Sequence, residues 1–260
     1  MSRVLMFTSL KGGVGKTTAA SALGFGLSFL GARVLCVDLD FGVRGLDLAL
    51  GAETLCGADV LDVIRDGLDP RQEAACLSEN LFFLPAPALF NTREESALTK
   101  ETLDRFLLCA REDFDFVLLD LPAGGGELFL PLAKNEHVTD ALVVSTAEEA
   151  ALRAAEQTAF EIRCACSTTD VHLILNRCPM RKNLSRSLFE MAQDASCAVL
   201  GVVPEDALVR ESAACGIAPT RLPQSPSSQA YWNIASRLLG GRVPLLSGIA
   251  SRRLRSSLLG

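Results

Sequence analysis

The sequence predicts an α/β fold: a doubly wound, mainly parallel sheet with helices on both faces. Short apolar, β-rich runs alternate with longer segments of helical period, the signature of βα units. Most of the runs are continuously hydrophobic, as strands covered on both faces must be. A glycine-rich loop follows the first run and opens the first helix, which fixes the sheet edge where a ligand would sit.

In chain order, strands are expected at Val4–Ser9, Val34–Asp38, Leu81–Pro85, Phe116–Asp120, Ala141–Ser145, Val171–Asn176 and Ala198–Val203. Helical period marks Lys16–Leu30, Lys100–Arg111, Glu148–Cys164, Leu184–Ala192, Ala207–Ala214 and Ser227–Leu239. No internal repeat and no low-complexity linker interrupts them. One domain therefore accounts for residues 1–240, with a short tail at 241–260.

Composition fits a globular protein with a large core: 49% of the 260 residues are apolar and 22% charged. Met1-Ser2-Arg3 leads into a short apolar stretch ending at Lys11, unlike a signal peptide, and no apolar run reaches the ~18–20 residues needed to cross a bilayer. A cytosolic protein is expected. The nine cysteines form no C-x-x-C pair, and Cys164 and Cys166 would point to different sides of a helix. They are expected to be buried, reduced, small hydrophobes.

Charge is uneven. The formal total is −6, and residues 241–260 hold Arg242, Arg252, Arg253 and Arg255 with no acid, which leaves −10 on residues 1–240. An acidic body disfavours a broad grip on nucleic acid, where affinity comes from cations on phosphates.

The loop Lys11-Gly12-Gly13-Val14-Gly15-Lys16-Thr17-Thr18 carries the chemistry. In a phosphate-binding P-loop, glycines let successive N–H groups point inward and the following helix adds its positive end. Lys16 should reach the β- and γ-phosphate oxygens of ATP, and Thr17 should place its hydroxyl on Mg²⁺. The strict pattern has glycine where this chain has Leu10. Asp38 and Asp40 leave one strand at its carboxyl end and, two residues apart, can face the same side. Asp120 and Asn176 end two further strands at that edge.

The second lysine, Lys11, is the mark of the deviant Walker A ATPases, and the chain resembles their MinD branch over nearly its whole length. The matching stretches are Lys11–Thr18, Val37–Leu48, Asp120–Gly124, Leu175-Asn176-Arg177 and Gly201–Asp206. Gly45 stands where asparagine is commoner. The resemblance implies a slow, partner-stimulated ATP hydrolase that forms a homodimer on ATP binding, with Lys11 reaching the partner's phosphates. It implies that Asp40 orients the attacking water and that Asp38 helps hold the Mg²⁺ shell or Lys16. Asp120 would bond a magnesium-bound water, and Asn176 would recognise adenine.

It also implies that the tail is a membrane-targeting helix. After Pro244, Leu246, Ala250, Leu254 and Leu258 fall at i, i+4 spacing, with Arg252, Arg253 and Arg255 mostly off that stripe. The implied setting is the cytoplasmic face of the cell membrane, with division-inhibitor and ATPase-activating proteins of the Min type as partners. DNA-partition ATPases and flagellar-number ATPases share the loop and remain alternatives. A role like that of the nitrogenase iron protein would need bridging cysteines, and Asp120–Gly126 contains none.

Overall fold

The computed structural model describes residues 2–41, 43–54, 57–88, 98–124, 126–179, 190, 193, 197–213 and 215–244. The tail helix expected after Pro244, and the helix expected at Leu184–Ala192 apart from Glu190, lie outside the described residues.

The strands are β1 (Arg3–Thr8), β2 (Val34–Asp38), β3 (Ala75–Ser78), β4 (Leu81–Leu84), β5 (Phe116–Asp120), β6 (Asp140–Ser145), β7 (Asp170–Cys178) and β8 (Ala198–Pro204). They form one sheet in the order β3-β4-β2-β5-β1-β6-β7-β8. Pairing is parallel throughout except for the edge pair β3–β4. The long helices are α1 (Lys16–Phe29), α5 (Lys100–Asp113), α7 (Glu149–Ala165) and α9 (Pro226–Leu238). Between them lie α2 (Leu46–Leu50), α3 (Val60–Asp66), α4 (Pro70–Glu73), α6 (Phe129–Ala133) and α8 (Ala207–Ala213).

The continuous hydrophobic runs are explained by two cores, one on each face of the sheet. Val4, Met6, Leu35, Val37, Val117 and Leu119 enter the core under α3, α5, α6 and α7. Their neighbours Leu5, Phe7, Val34, Cys36, Phe116 and Leu118 enter the core under α1 and α9. The period of two in each strand thus feeds both layers. None of the helices among the described residues is long and apolar enough to cross a membrane.

Every expected strand is present within two residues of its predicted ends. The sequence reading missed β3, whose four residues alternate between half-buried and exposed and so show no apolar run. It also missed α2, α3, α4 and α6, each seven residues or fewer and too short to display a period. The cysteine expectation holds only in part. Cys36, Cys178 and Cys197 are buried, but Cys76, Cys164 and Cys215 are exposed and Cys109 and Cys166 half-buried; none of these eight described cysteines is in a disulfide, and Cys56 lies outside the described residues. Cys166 sits past the end of α7, where the chain is extended and only partly covered.

Strand order sets the site. β2 lies on one side of β1, through β5, and β6 on the other, so the chain reverses direction at the carboxyl end of β1. Such a switch point leaves a crevice between the diverging loops.

Candidate nucleotide site

The loop after β1 is shaped from within. The Ser9 hydroxyl donates to the Lys11 carbonyl at 3.0 Å and accepts from the Lys11 N–H at 3.1 Å. Leu10 is not among the residues of positive φ, so this position makes no demand for glycine and the departure from the strict pattern is harmless. Gly13 and Gly15 do need their residue type, with φ of 75° and 95°. Gly15 is the N-cap of α1 and offers no side-chain cap. The first-turn N–H groups of α1 are therefore left for a ligand, and the helix dipole favours an anion there.

Acids and a lysine meet at this end. Asp120 and Asp38 are register partners on adjacent parallel strands, and Asp120 is likewise opposite Phe7 at the end of β1. Lys16, only 8% exposed, feels burial first, which lowers its pKa, against the opposing pull of Asp120 and Asp40. Asp120 is fully buried; burial raises its pKa to about 7 despite a hydrogen bond from Thr17 and the charge of Lys16. Its Oδ1 is buried without a hydrogen-bond partner. A magnesium-bound water would meet that orphaned oxygen, and Thr17 beside it offers a hydroxyl for the ion, so these residues fit Mg²⁺.

Asp38 lies beside these groups at the carboxyl end of β2. Its Oδ1 accepts from the Asp40 N–H at 3.0 Å and its Oδ2 from the Leu46 N–H at 3.1 Å. The carboxylate is thus turned into the segment that follows β2 and holds it, and burial raises its pKa to about 6. Asp40 remains half-buried at the mouth. Gly45 starts α2 beside Thr17: a Cβ there would stand 3.6 Å from Thr17 Cγ2, an ordinary contact.

Beside the loop lies a cavity of about 190 Å³ lined by Thr18, Asn176, Arg177, Pro204, Asp206 and Tyr231, among others. Asn176 is 4% exposed, and its Nδ2 donates to the Val14 carbonyl at 2.8 Å. Lys11, at the loop's entrance, is half-buried and paired with Glu148, the residue before α7. Ser9, Glu148 and Tyr231 belong to the site but were not singled out from sequence. Only Ser9, a hydroxyl at the strand end, left a local sign.

The chain matches the family model described as "ParA: NUBPL iron-transfer P-loop NTPase" over residues 1–239. It is 31% identical over 251 residues to the septum site-determining protein MinD of Bacillus subtilis, spanning 94% of this chain and 92% of that one. The MinD subunit fold in the MinC:MinD cell division protein complex of Aquifex aeolicus superposes with a TM-score of 0.81 at 26% identity, covering 94% and 99% of the two chains. MinD of Pyrococcus horikoshii, solved complexed with Mg-ADP, gives a TM-score of 0.77 at 25% identity, covering 93% and 98%. Matched along its length in sequence and fold, the chain belongs to the ParA/MinD family of P-loop NTPases.

Proposed function

We propose that this chain is a magnesium-dependent ATPase switch that dimerises on ATP, binds the cytoplasmic face of the membrane and takes part in placing the division septum. The orphaned Asp120 oxygen, set beside Thr17 and Lys16 at the uncapped start of α1, carries the reading. The septum assignment rests on the MinD relatives.

The backbone N–H groups of Gly12–Thr18 cradle the phosphates, and Lys16 neutralises the β- and γ-oxygens. Thr17 and, through a water, Asp120 would hold Mg²⁺, which would supply charge neutralisation at those oxygens. Asp40, half-buried at the mouth, orients the attacking water, and Asp38 holds the Asp40–Leu46 segment in place for it. Thr18 and Asn176 flank the adenine pocket. Lys11 leaves Glu148 and crosses to a second subunit, adding the cation that one chain alone lacks. Hydrolysis is then slow until a dimer forms and a partner protein stimulates it.

Residues 1–240 act as the ATPase domain and 241–260 as the membrane anchor. Each cation near an anionic surface contributes roughly 1 kcal/mol, so a single tail holds weakly and two tails on a dimer hold far better.

Co-sedimentation with anionic vesicles tests the proposal, comparing the full chain with one ending at Pro244, each with ATP or ADP. Recruitment that needs both ATP and the tail is the expected result. Equal recruitment with ADP would refute the switch. Salt-sensitive DNA binding by the shortened chain would favour a partition ATPase instead.

A further inference from the structure

A P-loop that turns its N–H groups toward phosphate turns carbonyls away, and each buried carbonyl needs a donor elsewhere. Val14, just before the N-cap, is 2% exposed, and its carbonyl is served by the Asn176 side chain, 162 residues along the chain. Gly15 follows so closely that a Cβ on it would fall 2.3 Å from Asn176 Nδ2. The amide and the loop are packed against one another with no room between them.

The amide is also fixed from behind. Its Oδ1 accepts from the Arg177 N–H at 3.0 Å, where Arg177 turns the chain with φ of 51°. The same oxygen accepts from the Tyr231 hydroxyl at 3.4 Å. Tyr231 is 1% exposed and comes from α9, which packs on α1 and β8. Reversing the amide would set oxygen against the Val14 carbonyl and NH₂ against two donors. The contacts admit one orientation.

We infer that Asn176 is a positioning residue for the phosphate loop, with Tyr231 behind it, so that the same side chain that flanks the nucleobase pocket also holds the loop in its phosphate-binding shape. The inference rests on reading Lys11–Thr18 as a phosphate loop and goes beyond the role of Asn176 as a contact to adenine. It predicts that Asn176 matters when no base is present at all.

The test uses the full chain, Asn176→Ala and Tyr231→Phe, with circular dichroism to establish folding. Hydrogen exchange is first measured without nucleotide. Peptides covering residues 10–16 should exchange several-fold faster in Asn176→Ala and change less, in the same direction, in Tyr231→Phe. Affinities for Mg-ATP and for inorganic tripolyphosphate with Mg²⁺ are then compared. Losing a buried hydrogen bond at the loop should weaken both ligands about tenfold in Asn176→Ala. Loop exchange unchanged in both variants, or a loss confined to ATP, would overturn the inference and leave Asn176 as a base contact. Acceleration in Asn176→Ala alone would remove Tyr231 from it. If Asn176→Ala fails to fold, Tyr231→Phe decides by its loop exchange. Failure of the unaltered chain to bind Mg-ATP would instead strike the phosphate-loop reading, and the ligand-free exchange keeps the two failures apart.

Discussion

Asp120 combines full burial, a raised pKa of about 7 and an oxygen without a partner. Burial of a carboxylate is costly unless the charge is used, which is why such groups collect at functional sites. Its folded pKa lies above the unfolded value of about 3.9. A group raised on folding contributes stability below its unfolded pKa and loses it as pH climbs through the folded one. Between pH 4 and 7 the ligand-free chain should therefore lose stability, at up to about 1.4 kcal/mol per pH unit from this residue. Asp120→Asn, neutral at every pH, should shrink that slope in urea titrations, and should also lose Mg²⁺-dependent ATP binding. An unaltered slope would mean that Asp120 is already ionised in the ligand-free protein.

The elements are tied together at the opposite edge of the sheet from the site. Arg3 of β1 donates to Asp140 of β6 and to the Leu238 carbonyl at the end of α9, while His172 of β7 stands 3.3 Å from the same carboxylate. Burial alone would raise the Asp140 pKa, but hydrogen bonds from His172, Arg3 and Thr139 hold it down at about 2. A depressed carboxyl gives stability above its unfolded pKa and loses it as pH falls toward the folded one. Asp140→Asn should cost about 2 kcal/mol at pH 7 and converge with the unaltered chain as pH falls from 4 to 2, by denaturant unfolding. A constant difference would show that shape rather than charge is lost. Helix α9 also rests directly on β8: a Cβ at Gly201 would lie 2.3 Å from Ile234 Cγ1. Gly201→Ala should cost about 1–3 kcal/mol by overpacking, measured as a lower urea midpoint; no change would show that α9 can shift outward freely.

At the scale of the molecule, the proposed reach of Lys11 into a second subunit would separate a nucleotide-binding subunit from a working assembly. The Lys11 pair with Glu148 lies at the surface and contributes little to stability. Lys11→Ala should accordingly fold normally and bind ATP within about threefold of the unaltered chain. It should fail to form ATP-dependent dimers by light scattering and fail to hydrolyse ATP. Hydrolysis at the unaltered rate would show that one chain carries every catalytic group.

The sequence by itself determined the architecture and the loop, because both are written locally. Seven strands were legible as unbroken apolar runs, since each feeds a core on both faces, and Gly12–Thr18 declares its chemistry in consecutive residues. Short elements such as β3 and α2 were not legible, because four or five residues hold too little periodicity to outweigh turn signals. Only the tertiary structure decided what distant residues do to one another. The sequence places Asp38 at a strand end, and the folded chain turns both its oxygens to the backbone of Asp40 and Leu46. Glu148 meets Lys11, and Tyr231 meets Asn176 and through it Val14, across separations of 137, 55 and 162 residues. Such contacts arise from the order in which strands enter the sheet, and strand order leaves no mark in the residues themselves.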